Sequence, residues 1–437
     1  MIKISKGLDL PISGIPDPVI TDTPKVTSVS ILGNDFTGMK PTMFVKSGDS
    51  VKRGTKIFED KKNPGVFFTS PAGGIVKEIS RGDKRKFLSI DIEISDNEEY
   101  VHFDTSNVKS LLIESGLWNA FRSRPFNRTP GVEAKPDALF INACDTNPLG
   151  VDPYYIIQDD LKYFNQALKA LSQSFTCPVH CCYQNSDFDT SVDNVHYHQF
   201  SGPHPTGLSS THINKIYPVN LKRVAWTIGF QDLISIGYLL EHNSLRTHKT
   251  IALGGPSVFN PSLIKTRISG NIDEITAGKI ESGSRIISGS VLYGHASEGV
   301  MNYLGFYDSL ISAIPDEANN IFLNWLMPGS NLHSKLNVFI SSFLKPSKFI
   351  FNTSVNGGDR AIVPVGSYDE VLPMDILVPQ LLKALVVGDR EQAVDLGMLE
   401  LAPEDLAICS YICPSKYDYC SILANNLNEL YLEQWRV

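Results

Sequence analysis

The chain has 437 residues, 42% of them hydrophobic, and a formal net charge of −8. That length divides among roughly three or four domains, and the acidic balance excludes nucleic acid as the main partner. No apolar run approaches the ~20 residues of a membrane span; Met1–Gly7 lacks a signal-peptide core, and the expected setting is the cytosol.

Residues 1 to 104 read as a β module. Val45–Gly54 and Ser70–Ile79 share one rhythm, with Gly48, Gly54, Gly73 and Gly74 punctuating short β-branched runs. Such spacing makes a small, tightly turned barrel or sandwich. The pattern resembles the biotinyl/lipoyl hammerhead domain, whose hairpin presents an acceptor lysine. Lys61 and Lys62 lie in the corresponding hairpin, but Asn63-Pro64-Gly65 lengthens its tip. The expectation is a structural module with unmodified lysines.

Residues 105 to 249 read as a connector followed by a Rossmann-like α/β domain. A helix is predicted over Val108–Ser123, ending in the aromatic and basic stretch Trp118–Phe126. Arg122 and Arg124 there could dock a partner or phosphate, or cap the helix. The run Ala138–Ala143 is a buried parallel strand emptying into the turn Asp145–Pro148. Ligands gather at such edges, so Asp145 and Asn147 are candidate cofactor contacts as well as turn formers. A helix over Ile156–Ser172, strands at Cys177–Tyr183 and Val224–Ile228, and a helix at Gln231–His242 follow. Between them, His204 sits in the Gly- and Pro-rich loop Ser201–Leu208. Neither Gly-x-Gly-x-x-Gly after the first strand nor a Walker loop occurs.

Residues 250 to 370 read as a β-grasp-like domain and a mixed segment, with a short helix near Ser262–Ile268. The mixed part holds Trp325–Gly329 and the polar turn cluster Asn352–Arg360. Residues 371 to 437 read as a bundle of four helices, Leu377–Val387, Asp389–Leu396, Pro403–Ile412 and Lys416–Leu432.

Seven cysteines without a signal peptide do not describe a disulfide framework. Cys409, Cys413 and Cys420 are one thiolate short of an iron–sulfur ligand set and wrongly spaced. Cys177, Cys181, Cys182, His196 and His198 match no standard zinc knuckle. No metal site is expected.

Taken in order, Lys6–Pro11, Val45–Val51, Ser70–Gly74, Asp145–Pro148, Ser201–Gly207, Asn352–Arg360 and Cys409–Tyr419 resemble one family over nearly the whole chain. It is the NqrA family, one of the subunits of the bacterial sodium-translocating NADH:quinone oxidoreductase. That family is similar to the RnfC component of the Rnf complex and to the flavoprotein subunit of respiratory complex I. In those relatives the loop after the equivalent strand is acidic and helps hold FMN, and the bundle binds an iron–sulfur cluster. Here Asn147 stands in place of the second acid, the flavin's glycine loop is missing, and the bundle cysteines are displaced. The resemblance implies a cytoplasmic, peripheral subunit at the inner membrane, without redox cofactors and not catalytic alone. It would dock on membrane subunits B and C of a complex that oxidises NADH, reduces ubiquinone and pumps Na+. A free-standing flavin- or NADH-dependent oxidoreductase is the alternative. A docking subunit should expose its contact residues, so Arg122 with Arg124, or His204, is expected to meet the membrane subunits or a quinone headgroup.

Overall fold

A computed structural model describes residues 1–317, 328–336, 338–344, 346–358, 360–363 and 366–434. Of the Trp325–Gly329 motif only residues 328 and 329 are described, and the Asn352–Arg360 cluster lacks residue 359.

The β module is built from two antiparallel sheets. One orders Ser28–Leu32, Phe87–Ile94, Gly74–Arg81 and Ser50–Val51; the other orders Pro41–Met43, Lys56–Asp60 and Phe67–Thr69. Alternating apolar residues from both meet in a shared core where Phe58 stacks on Phe68 at 4.4 Å between ring centroids. Gly74 lies against the Glu93 carbonyl with no room for a Cβ, which is why the Pro-x-x-Gly turn needs its glycine. The hairpin tip leans on the connector. Asn63 Nδ2 donates to the Thr129 carbonyl at 3.2 Å, and Gly65 packs against Val132. The Asp60 carboxylate fastens the tip further, accepting from the Lys40 and Lys62 amides at 3.0 Å each.

The α/β sheet runs Ile2–Lys3, His196–Ser201, Val179–Tyr183, Ala138–Ala143, Ala225–Gly229, Arg122–Arg124. The first five strands are parallel and the last is antiparallel. One face buries Leu139, Ile141, Trp226 and Ile228 against Leu161–Ser174 and Phe230–His242; the other buries Ala138, Phe140, Phe200 and Ile213. This double coverage explains the unbroken apolar runs read in the sequence.

Several expectations change here. The predicted helix Val108–Ser123 stops at Glu114, and its tail becomes a 3-10 turn, Leu117–Ala120, and the edge strand Arg122–Arg124. Gly116, with φ +78°, ends the helix by taking a conformation other residues resist. The arginines therefore cap no helix. The helix expected over Ile156–Ser172 is two, Pro153–Asp159 and Leu161–Ser174, broken at Asp160. The short helix expected near Ser262–Ile268 is the strand Ser262–Arg267, antiparallel to His248–Gly254, and the helix lies further on at Ile272–Thr276. The first residues also leave the β module. Ile2–Lys3 joins the α/β sheet, and Asp17–Asp22 forms the edge of the third domain's sheet beside Ser262–Arg267.

That third sheet is mixed and six-stranded, with Leu310–Pro315 parallel to His248–Gly254 at its centre. The C-terminal part is helical: Val378–Val387, Arg390–Asp395, Ala407–Ile412 and Tyr419–Gln434 lie within a few residues of the predicted bounds, with Ser367–Val371 added in front. Leu381, Leu385, Leu406 and Leu423 are among its buried apolar residues. The broad class, a mixed α/β multidomain chain with a helical end, is as read from the sequence.

Candidate functional site

The C-terminal edge of the parallel sheet gathers loops from three strands. Asp145, just beyond Ala138–Ala143, folds its carboxylate onto its own turn and accepts from the Asn147 amide at 2.8 Å and Asn147 Nδ2 at 2.9 Å. Burial lifts the Asp145 carboxyl to about 6 despite those hydrogen bonds. The Asp145 amide is anchored in turn on Gln184 Oε1, at the end of the neighbouring strand.

The loop after His196–Ser201 closes over this turn. The Gly207 amide donates to Thr146 Oγ1 at 2.8 Å, and Asn142 Nδ2 reaches the Gly207 carbonyl at 3.0 Å. His204 lies inside the closure, 1% exposed, with Nδ1 3.3 Å from Thr146 Oγ1. Burial drops its imidazole to about 4, so it is neutral at physiological pH. Its backbone is tied to the N-terminal segment, the amide donating to Asp9 and the carbonyl accepting from Leu8.

Other domains complete the edge. Arg124 Nη2 lies 3.2 Å from Glu404 Oε1 of the C-terminal helical part, and Arg122 Nη1 lies 3.6 Å from the same oxygen. The Arg122 guanidinium also covers the Tyr307 ring at 4.8 Å. From the third domain, Tyr293 stands beside Asp145 and Asn147. Nearby, buried Lys249 donates to the Phe306 carbonyl at 3.0 Å, within the field of Asp232, Asp308 and Asp35. Residues from all four domains thus converge on one junction of largely buried charge.

The exposed patch expected at Arg122, Arg124 and His204 is not found at Arg124 or His204, while Arg122 keeps 28% of its side chain exposed. Arg124 is 2% exposed and His204 1%. The reason is pairing: Arg124 meets a carboxylate from another domain, and a charge so matched can be taken out of water. Sequence reading singled out Asp145, the Arg122–Arg124 pair and His204 as separate candidates, without seeing what joins them. Glu404 read only as the punctuation of a helix start. Asp232 left a trace, an ionisable residue in a largely apolar helix, while Lys249, after Arg246, Thr247 and His248, left none.

Comparison with known proteins gives this arrangement a family. The NqrA N-terminal barrel-sandwich hybrid domain matches residues 2–95, the NqrA second alpha/beta domain residues 103–245, and an NqrA C-terminal domain residues 250–299. The chain is 45% identical over 444 aligned residues to the NqrA subunit of the Na(+)-translocating NADH-quinone reductase of Neisseria meningitidis, covering 98% of this chain and 99% of that one. The corresponding subunit of Yersinia pseudotuberculosis is 42% identical, with coverages of 98% and 99%. The chain belongs to the NqrA family.

Among solved structures, an NAD+-reducing [NiFe]-hydrogenase aligns with a TM-score of 0.36 and 10% identity, over 74% of this chain and 58% of that one.

Two further places bear on what an NqrA chain of this sequence could hold. Cys409 and Cys413 are buried, while Cys420 is half-buried. The helix Ala407–Ile412 ends with Cys413 as its cap, the Cys413 amide donating to the Cys409 carbonyl at 3.0 Å. Burial would raise the Cys413 thiol, but hydrogen bonds with the Tyr368 and Tyr419 hydroxyls bring it below its usual range. Cys420 is pushed up to about 12 by burial. Among the described residues, no group of three or more His, Cys, Asp or Glu side chains is arranged to hold a metal ion. At the sheet edge, a flavin phosphate would need free backbone amides. The Asn147 and Gly207 amides are instead taken by Asp145 and Thr146. Those two amides are not free to hold a phosphate.

Proposed function

We propose that this chain is a peripheral subunit of a Na+-translocating NADH:quinone reductase, held on membrane subunits B and C at the cytoplasmic face of the inner membrane. It carries no redox group of its own; NADH oxidation and quinone reduction belong to the assembled complex, with ubiquinone as the complex's substrate. The observation that carries this reading is the near-complete alignment with the NqrA subunits of two bacteria. Two structural features support it. No helix among the described residues is long and apolar enough to cross a membrane. The sheet edge, where a doubly covered α/β domain holds its ligands, is closed by Thr146, Gly207 and His204.

A contribution to quinone interaction belongs to the same reading and rests on the family alone: the recess lined by Phe36, Phe68, Leu117, Leu245, Ile268, Phe306 and Arg246 has room for only about 60 Å³, too little for a quinone headgroup. The experiment is an absorption spectrum and metal analysis of the chain purified without oxygen. No flavin band and no stoichiometric iron are expected. A flavin at one equivalent would overturn this reading in favour of a free-standing flavin enzyme.

A further inference from the structure

Between Glu317 and Asp359 the sequence carries no Asp or Glu and three lysines, 335, 345 and 348, in a chain of net charge −8. The described part of this stretch is also where large apolar side chains stand out from the surface. Phe343 is 83% exposed, Ile350 70%, Val338 66% and Leu344 65%, with Leu336 and Ile340 beside them. Scattered exposed apolar residues need no explanation, but so many on one short segment mark an interaction surface.

The backbone beneath them is firmly made. The Ile340 amide donates to the Pro328 carbonyl at 2.8 Å, the Leu344 amide to the Ile340 carbonyl at 3.1 Å, and Ser341 Oγ to the Leu332 carbonyl at 2.6 Å. Phe349 turns inward and pairs with Ile12, its amide bonded to the Pro11 carbonyl at 2.7 Å. The segment is held to the body by Phe349 at one end and, at the other, by Lys335 on Glu370 and by His333 Nδ1 at 2.7 Å from the Tyr411 hydroxyl, with its apolar side chains facing out. A turn of this kind can enter an interfacial layer without stranding polar backbone.

We propose that the surface formed by residues 336, 338–344 and 346–350 rests on anionic lipid, with Phe343 and Leu344 entering the headgroup layer and Lys348 beside them. The inference builds on the proposed peripheral attachment to a membrane complex and names what this face touches. Charge selects lipid over protein as the occupant. Lysine is depleted at protein interfaces, whereas exposed Phe and Leu flanked by lysine, with no acid near in sequence, describe a membrane-surface segment. Lys335 shares its charge with Glu370 at 3.1 Å, which leaves Lys348 as the exposed described cation of the strip.

The test is co-sedimentation of the full chain with vesicles of phosphatidylcholine alone or with phosphatidylglycerol added. Binding is expected only with phosphatidylglycerol, weakened by salt, about ten-fold weaker for the Phe343→Ser, Leu344→Ser double variant, and a few-fold weaker for Lys348→Gln. These residues are exposed, so the variants should melt as the parent does. A Phe343→Trp chain gives a second readout: its fluorescence should shift to the blue when anionic vesicles are added. No binding to anionic vesicles, or equal binding by the double variant, overturns the proposal. If vesicles do not bind but the double variant no longer co-purifies with the membrane subunits, the face meets protein. The lipid inference then fails while the subunit reading stands.

Discussion

Replacing Arg124 by methionine is expected to destabilise the packing of the C-terminal helices on the α/β domain by about 3–5 kcal/mol, the usual cost of removing one partner of a buried pair. Its guanidinium is 2% exposed and 3.2 Å from Glu404. Glu404 is itself largely enclosed and lies next in sequence to buried Asp405. Burial alone would raise the Glu404 carboxyl, and the charges of Arg124 and Arg122 more than reverse that. Without Arg124, two neighbouring carboxyls share a dry site with only Arg122 nearby. Urea unfolding read by hydrogen exchange in Val378–Val387 and Tyr419–Gln434 would register the loss as a lower midpoint for these helices. The Arg124→Met, Glu404→Leu double variant should recover part of it, short of the full loss because Arg122 then also lacks its carboxylate, and the coupling can be measured as a cycle. An unchanged midpoint in Arg124→Met would contradict the assignment of this pair as the clamp between the two parts.

The second large effect is a pH dependence. Asp405 is fully buried, and burial, with Glu404 beside it, lifts its carboxyl from an ordinary 3.8 to about 7. The folded chain therefore keeps a proton that the unfolded chain loses between those values. Stability from this group is fully present below about pH 4 and falls as pH rises through 7. Asp405→Asn keeps an oxygen to accept from the Ala402 amide, bonded to Asp405 at 2.6 Å, and removes the titration. The variant should match the parent at pH 4 and exceed it at pH 8, with ~4 kcal/mol as the ceiling for a shift of this size. A stability advantage that is the same at both pH values would show that the gain has another source.

What the sequence makes legible follows the range of its signals. Ala138–Ala143 and the C-terminal helices are readable because periodicity is local, and each segment carries its own apolar pattern. Ile2–Lys3 is not, since two residues at a sheet edge have no period to detect. Ser262–Arg267 reads as a helix because its apolar residues do not alternate strictly; burial on both faces, against the rest of the third domain, explains that. At the junction the residue types are visible but not their partners. Arg124 and Glu404 are 280 residues apart, and nothing near either one announces the other. Exposure is the natural expectation for Arg122, Arg124 and His204 because charged and loop residues usually have it. For Arg124 an inter-domain ion pair reverses that rule, and for His204 the closure of its loop over Thr146 and the N-terminal segment does; both can be seen only once the domains are packed.

The subunit assignment is tested most directly by reconstitution. Membranes from cells lacking this chain should show no Na+-stimulated NADH:quinone reductase activity. Adding the purified, colourless chain should restore it, with the chain co-purifying with membrane subunits B and C after detergent extraction. Full activity in membranes lacking the chain, or NADH oxidation by the purified chain alone, would contradict the account.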